Sequence, residues 1–272
     1  MLKMPYREEN SNKGSFGKVL NFCGSKNYIG AAYLSTISSL KVGAGFSALA
    51  TTQDVIQSVS SLLPEAVYLS REEGLKKLNN FSVILIGCGL GLKHSSEKVF
   101  KQLIHKLQKD TENSNIPLII DADGLNLLSK TKIIPTNSTI VLTPHPLEAS
   151  RLLNCDLETV LKDLESAAKK ITAKYKCITV LKTHRTIICN TDFEIHGNTN
   201  GNSSLAKAGT GDVLAGIIAG LLAQNMPAFE ACKLGVYLHA RTGEIASQEL
   251  TEYSVLASDL PKYIHKAIAE IL

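Results

Sequence analysis

Hydrophobic and polar positions along the chain fall into two alternating regimes. Short apolar and β-branched runs at 18–23, 46–51, 82–87, 117–121, 139–143, 177–182 and 186–189 predict strands. Longer stretches between them predict helices over 29–42, 95–108 and 157–175; in the second, Val99, Leu103 and Leu107 form the apolar stripe, and a polar loop over 109–115 follows. Val83-Ile84-Leu85-Ile86 is apolar without a break, as expected of a strand covered on both faces of a parallel sheet. The last seventy residues read as almost wholly helical. Repeated β-then-α units predict the α/β class, a three-layer sandwich with a mostly parallel sheet between two helical layers. No repeat, low-complexity segment or Pro/Gly/Ser linker interrupts the pattern, so one domain over 1–272 is expected.

Composition narrows the picture. The 272 residues are 44% hydrophobic and 20% charged, which fits a folded chain rather than a disordered one. The net charge is +4, from 29 basic and 25 acidic residues, and no Lys/Arg block is present, so nucleic acid is not an expected partner. Six cysteines are scattered with no CxxC pair, which predicts buried free thiols in a reducing compartment. The first ten residues are charged and lack the apolar core of a signal peptide. The most apolar stretch, 213–223, is 11 residues against the ~20 of a membrane span, so no membrane partner and a cytoplasmic location are expected.

In an open α/β sheet, ligands collect beyond the carboxyl ends of the strands, so the segments that follow the strands matter most. They are rich in glycine and polar residues: 24–32, Gly87-Cys88-Gly89-Leu90-Gly91, Asp121-Ala122-Asp123-Gly124, Thr143-Pro144-His145-Pro146, Asn200-Gly201-Asn202 and Ala208-Gly209-Thr210-Gly211-Asp212. The last opens an apolar, Ala/Gly-rich helix. Glycines there let the backbone approach an anion, and the helix start supplies unpaired N–H donors. Asp212 is then either a helix-start acid or a base facing a phosphoryl acceptor. Two other glycine motifs are rejected. Leu92 stands where a dinucleotide fingerprint needs its third glycine, and Gly14-Ser15-Phe16-Gly17-Lys18 is followed by Val19 rather than Ser/Thr. His145 has no second ligand at useful spacing, so no protein metal site is expected.

Asn200-Gly201-Asn202 with 205–212 resembles the closing motif of the ADP/ATP-dependent NAD(P)H-hydrate dehydratases, a branch of the ribokinase-like superfamily. Lys13-Gly14-Ser15-Phe16-Gly17, Gly30-Ala31-Ala32, Gly87-Cys88-Gly89-Leu90, Asp121-Ala122-Asp123-Gly124, Thr143-Pro144-His145-Pro146-Leu147-Glu148 and 181–186 match in the family's order, over residues 7–261. The resemblance implies repair of hydrated NADH or NADPH: the C6 hydroxyl is phosphorylated by ADP or ATP, with Mg2+, and phosphate is then eliminated. It implies Asp212 as the base, Gly209, Thr210 and Gly211 as the anion hole, and Lys182, Thr183, His184, Arg185, Thr186 and Gly211 as nucleotide contacts, on the adenylate side. Ala31, Gly89, His145 and Asp212 are implied as contacts to the hydrated dinucleotide. It further implies a homo-oligomer, a tetramer in the family, and an epimerase acting on the same substrate as a separate protein, since no residues precede Met1 to encode one. Leu147 and Thr183 depart from the family pattern, each standing where glycine is usual. The competing readings are a small-molecule kinase of the same fold, acting on a vitamin-precursor alcohol, and a nucleotide-binding regulator without turnover, in which Asp212 would be lost.

Overall fold

The apolar runs become the strands of one nine-stranded sheet in a computed structural model that describes residues 2–109, 116–131 and 138–272. The strands are β1 (Lys18–Phe22), β2 (Phe46–Thr51), β3 (Val67–Ser70), β4 (Val83–Ile86), β5 (Leu118–Ile120), β6 (Ile140–Leu142), β7 (Ile178–Leu181), β8 (Ile187–Cys189) and β9 (Ile195–Gly197). Their spatial order is β3-β2-β1-β4-β5-β6-β7-β8-β9. The first seven run parallel, and β8 and β9 close the edge antiparallel. Every loop leaving β1, β4, β5, β6 and β7 therefore emerges on one edge. The order reverses at β1, whose successors β2 and β3 lie to one side and β4 to the other, so a crevice opens between the β1 and β4 loops.

Helices α1 (Ile29–Lys41), α2 (Gln53–Val59), α3 (Arg71–Lys76), α4 (His94–Lys109), α5 (Asp123–Thr131), α6 (Pro146–Leu153), α7 (Leu157–Lys162), α8 (Leu164–Tyr175), α9 (Thr210–Ala223), α10 (Ala228–Ser254) and α11 (Leu260–Ala269) cover both faces. Alternation along each strand divides the core in two. Val19, Val83 and Leu85 face α1, α9, α10 and α11, whereas Leu20, Phe22, Ile84 and Ile86 face α4, α5, α6 and α8. This is the three-layer sandwich expected.

Helix α9 is buried almost all round, and it lies so close to α1 that a Cβ at Gly216 would come 2.3 Å from the Ser35 carbonyl oxygen. Three differences from the sequence reading have local causes. The 157–175 helix breaks at Asp163 (φ −151°), whose carboxylate turns back to accept from the Ser166 amide. The half-exposed edge strands β3 and β9, and the short helices α5 and α6, lack the long periodicity that marks an element. Residues 110–115 of the expected polar loop lie outside the described residues. Among the described residues no helix is long and apolar enough to cross a membrane.

Candidate active site

The site begins at the start of α9. Gly209 is the N-cap with φ +93°, a backbone conformation natural to glycine, and a Cβ there would press on Leu34 and Ala257. Thr210 fixes the turn by donating its hydroxyl to the carbonyls of Leu205 (2.8 Å) and Lys207 (2.9 Å), and its amide donates to the same Lys207 carbonyl (3.4 Å). No side chain caps this helix. The Gly211 and Asp212 amides therefore remain available to an anion at the positive end of the helix dipole.

Asp212 is largely buried one turn into α9. Burial pushes its carboxyl up to about 7, with Asp121 adding to the rise and the Cys88 thiol and Lys182 opposing it. It neither caps its helix nor forms an ion pair among the described residues. A carboxyl poised near neutral pH, with no cation paired to it and the Cys88 thiol as its hydrogen-bond donor, has the properties of a general base.

Asp121, at the end of β5, is the electrostatic hub. Its Oδ1 accepts from the Lys182 ammonium (2.6 Å) and the Thr143 hydroxyl (2.7 Å), and its Oδ2 accepts from the Cys88 thiol (3.5 Å). Burial works to lower the Lys182 pKa, but Asp121 and Glu148 hold it above the ordinary lysine range. Its Nζ lies 3.4 Å from where a Cβ on Gly211 would be. The ammonium thus stands beside the anion-ready turn. Cys88 stays a thiol, raised by its neighbour Cys23, by burial and by the two aspartates.

His145 ends the β6 loop and caps α6. Its Nδ1 accepts from the amides of Leu147 (3.2 Å) and Glu148 (3.4 Å), while the Glu148 carboxylate accepts from the His145 amide (2.9 Å). Acceptance at Nδ1 puts the proton on Nε2, 3.4 Å from Glu148. Burial and Lys182 lower the His145 pKa, so the ring is neutral. Burial raises Glu148 to about 7, against the pull of Lys182.

The sequence-predicted residues separate into three positions. Gly209, Thr210, Gly211, Asp212 and Lys182 meet at the centre with His145 beside them. Ala31 and Gly89 meet at the crevice between the β1 and β4 loops, where Gly89 (φ +59°) is so close that a Cβ would lie 2.7 Å from that of Ala31. Thr183, His184, Arg185 and Thr186 form the turn after β7, closed on itself by Thr183, which accepts from the Arg185 amide (3.2 Å) and donates to its carbonyl (2.7 Å). Lys182 therefore turns away from its four neighbours towards the acid cluster. Leu147 is exposed on the outer side of α6. Asn200-Gly201-Asn202 is tied to α10, the Gly201 amide donating to Glu244 (2.6 Å) and the Asn202 amide group to Ser247 (2.8 Å).

Sequence reasoning placed no role on Cys88, Glu148, Arg71 or His239. Only Glu148 carried a signal, three residues after a capping residue. His239, on α10, is buried with its Nε2 unpartnered, and burial pushes its pKa down to about 4.

A family model described as NAD(P)H-hydrate dehydratase matches residues 19–266. The chain is 35% identical over 247 residues to the ADP-dependent (S)-NAD(P)H-hydrate dehydratase of Neisseria meningitidis serogroup B, covering 89% of this chain and 81% of that protein. It is 33% identical over 280 residues to the bifunctional NAD(P)H-hydrate repair enzyme of Thermofilum pendens, covering 97% of this chain and about half (52%) of that relative's length. The crystal structure of the ADP/ATP-dependent NAD(P)H-hydrate dehydratase of Bacillus subtilis, co-crystallised with ATP and Mg2+, superposes with a TM-score of 0.88 at 29% identity, covering 99% and 95% of the two chains.

Proposed function

The chain belongs to the NAD(P)H-hydrate dehydratase family, and from that premise we propose that it restores hydrated NADH or NADPH with ADP or ATP as phosphoryl donor. Asp212 carries the reading: a largely buried carboxyl near neutral pKa, in no ion pair among the described residues, at the start of α9 and beside the Lys182 ammonium. Asp212 takes the proton of the C6 hydroxyl as its oxygen attacks the terminal phosphorus, and the nucleotide leaves shortened by one phosphate. The α9 amides and Lys182 stabilise the charge on the transferred group. Loss of phosphate from C6 and a proton from the neighbouring ring carbon then restores the double bond. Ala31, Gly89 and His145 hold the dinucleotide, and the 183–186 turn lies against the nucleotide.

Cys88, Asp121 and Asp212 offer ligand atoms within 4.8 Å of one another. A thiol is a poor donor to Mg2+, and Lys182 already neutralises Asp121, so this is not a resident Mg2+ cage. Mg2+ fits this protein as the counter-ion of the incoming nucleotide, where it supplies charge neutralisation. We place the enzyme in the cytoplasm as a homo-oligomer, which sizing chromatography tests.

The deciding experiment adds the protein, Mg2+ and ADP or ATP to hydrated NADH and follows the absorbance at 340 nm. Recovery of the band, with one phosphate released per ring restored, is expected. Consumption of nucleotide only when a vitamin-precursor alcohol is supplied would establish the kinase alternative.

A further inference from the structure

Arg71 enters the crevice at the sheet's reversal point from outside the β1 and β4 loops. It is the first residue of α3, directly after the edge strand β3, and its stem lies under both loops. One guanidinium nitrogen donates to the Gly24 carbonyl (2.8 Å) and the Leu90 carbonyl (3.2 Å), and another approaches the Ser96 hydroxyl (3.4 Å). No carboxylate pairs with it among the described residues, and its Nε is buried without a partner. This arginine is matched to no acid among the described residues but to the backbones of two loops that pack on each other at the ends of β1 and β4.

The direction of those carbonyls matters. In a trans peptide the C=O and the following N–H point opposite ways. Turning the Leu90 carbonyl towards Arg71 turns the Gly91 amide the other way, and it donates to Asp123 at 2.7 Å. Turning the Gly24 carbonyl inward likewise directs the Ser25 amide away from Arg71. The loops are further stitched by the Gly24 amide on the Cys88 carbonyl (2.8 Å), the Ser25 hydroxyl on the Gly89 carbonyl (2.8 Å) and the Ser96 hydroxyl on the Leu90 carbonyl (2.8 Å). Arg71 is the charged member of this set, and it holds both sides of the loop pair that contains Gly89.

We propose that Arg71 is a positioning residue for the dinucleotide half of the site: it fixes the packed loops 24–28 and 88–92 against each other without touching the reacting atoms. The proposal rests on the functional reading above for the identity of the ligand, but not for the clamp itself. It separates the two ligands, because the nucleotide turn at 183–186 and the start of α9 receive no contact from Arg71.

The test uses full-length Arg71→Met and Arg71→Lys proteins, with Tm measured for each. In Arg71→Met, amide hydrogen exchange is expected to accelerate about ten-fold in residues 23–28 and 88–92 and to stay unchanged in β5, β6 and α9. The KM for hydrated NADH should rise about ten-fold, while kcat and the KM for ADP or ATP stay within about three-fold. Arg71→Lys, which keeps the charge but has a single donor nitrogen in place of the planar fork and gives up the Ser96 contact, should lie between; if Arg71→Met does not fold, this variant carries the same comparison. Unchanged protection of both loops, or equal rises in both KM values, overturns the proposal. A wild-type protein without 340-nm recovery would sink the dehydratase reading instead, and the loop exchange would still decide the role of Arg71.

Discussion

Replacing Asp212 by asparagine removes one charge and almost no volume, and the structure gives this change two separable consequences. The first is catalytic. A positioned general base contributes about 10²–10⁴-fold, so kcat should fall by that factor while the KM for nucleotide changes little. The second is thermodynamic, and its sign is informative. The Asp212 carboxyl is held at about 7 in the fold against an ordinary 3.8, mainly by burial. Between those values the folded protein binds a proton that the unfolded chain does not, so stability declines as pH rises from about 4 to about 7. At about 1.4 kcal/mol per pKa unit the penalty has a ceiling of about 4–5 kcal/mol, and imperfect replacement of the carboxylate by an amide reduces the recoverable part to roughly 1–3 kcal/mol. Asp212→Asn should therefore be the more stable protein at pH 7.5, by several degrees in Tm, with the advantage shrinking towards pH 4. A carboxylate that merely favours its helix start would act oppositely: its loss costs about 0.3–1 kcal/mol and leaves turnover of the folded protein intact. Thermal melts from pH 4 to 8, paired with the 340-nm assay, measure both. A variant less stable at every pH and fully active would refute the reasoning.

Other outcomes follow from the same geometry. The acid limb of kcat/KM should have an apparent pKa near 7, set by Asp212, with activity lost as pH falls and the base is protonated; a pH-rate profile checks it. Lys182→Met leaves Asp121 and Glu148 without their cation, so that limb should move to higher pH and kcat should fall by roughly 10²-fold or more, an effect beyond weaker nucleotide binding. If only the nucleotide KM changes, the inward position of Lys182 has no chemical consequence. Gly89→Ala puts a Cβ 2.6 Å from that of Tyr28 at a positive φ, so titration should show weaker binding of the hydrated dinucleotide with nucleotide affinity retained.

Legibility in the sequence followed burial. β4 was readable to within one residue because a strand covered on both faces is apolar throughout, and β2 to the residue although it carries Ser47 and Thr51. β3, with one buried residue of four, and β9, with none, had no such pattern to show. Helices α5 and α6 were hidden because the residues opening them, Asp123 and His145-Pro146, read as loop chemistry. At the site, the Gly209–Asp212 turn was visible as a local string. The partnership of Lys182 with Asp121 was not: 61 residues separate them, and only the adjacency of β5, β6 and β7 brings them to 2.6 Å. Arg71 was hidden more completely, since its partners are backbone carbonyls, which every residue possesses.

The close approach of α1 and α9 gives the two ligand halves a fixed ruler. Ala31 rides on the first turn of α1 and Asp212 on the first turn of α9, and the helices touch through backbone at Gly216 against Ser35 and at Gly220 against Ser39. Side chains can repack under load, but two main chains in van der Waals contact cannot come nearer. On the proposed reading, the spacing between the substrate contact at Ala31 and the base Asp212 is therefore set about one turn below them, where Gly216 meets Ser35. Accommodating a larger or smaller acceptor falls to the loops, and a single methyl group added at Gly216 would misalign the reacting groups from within the core.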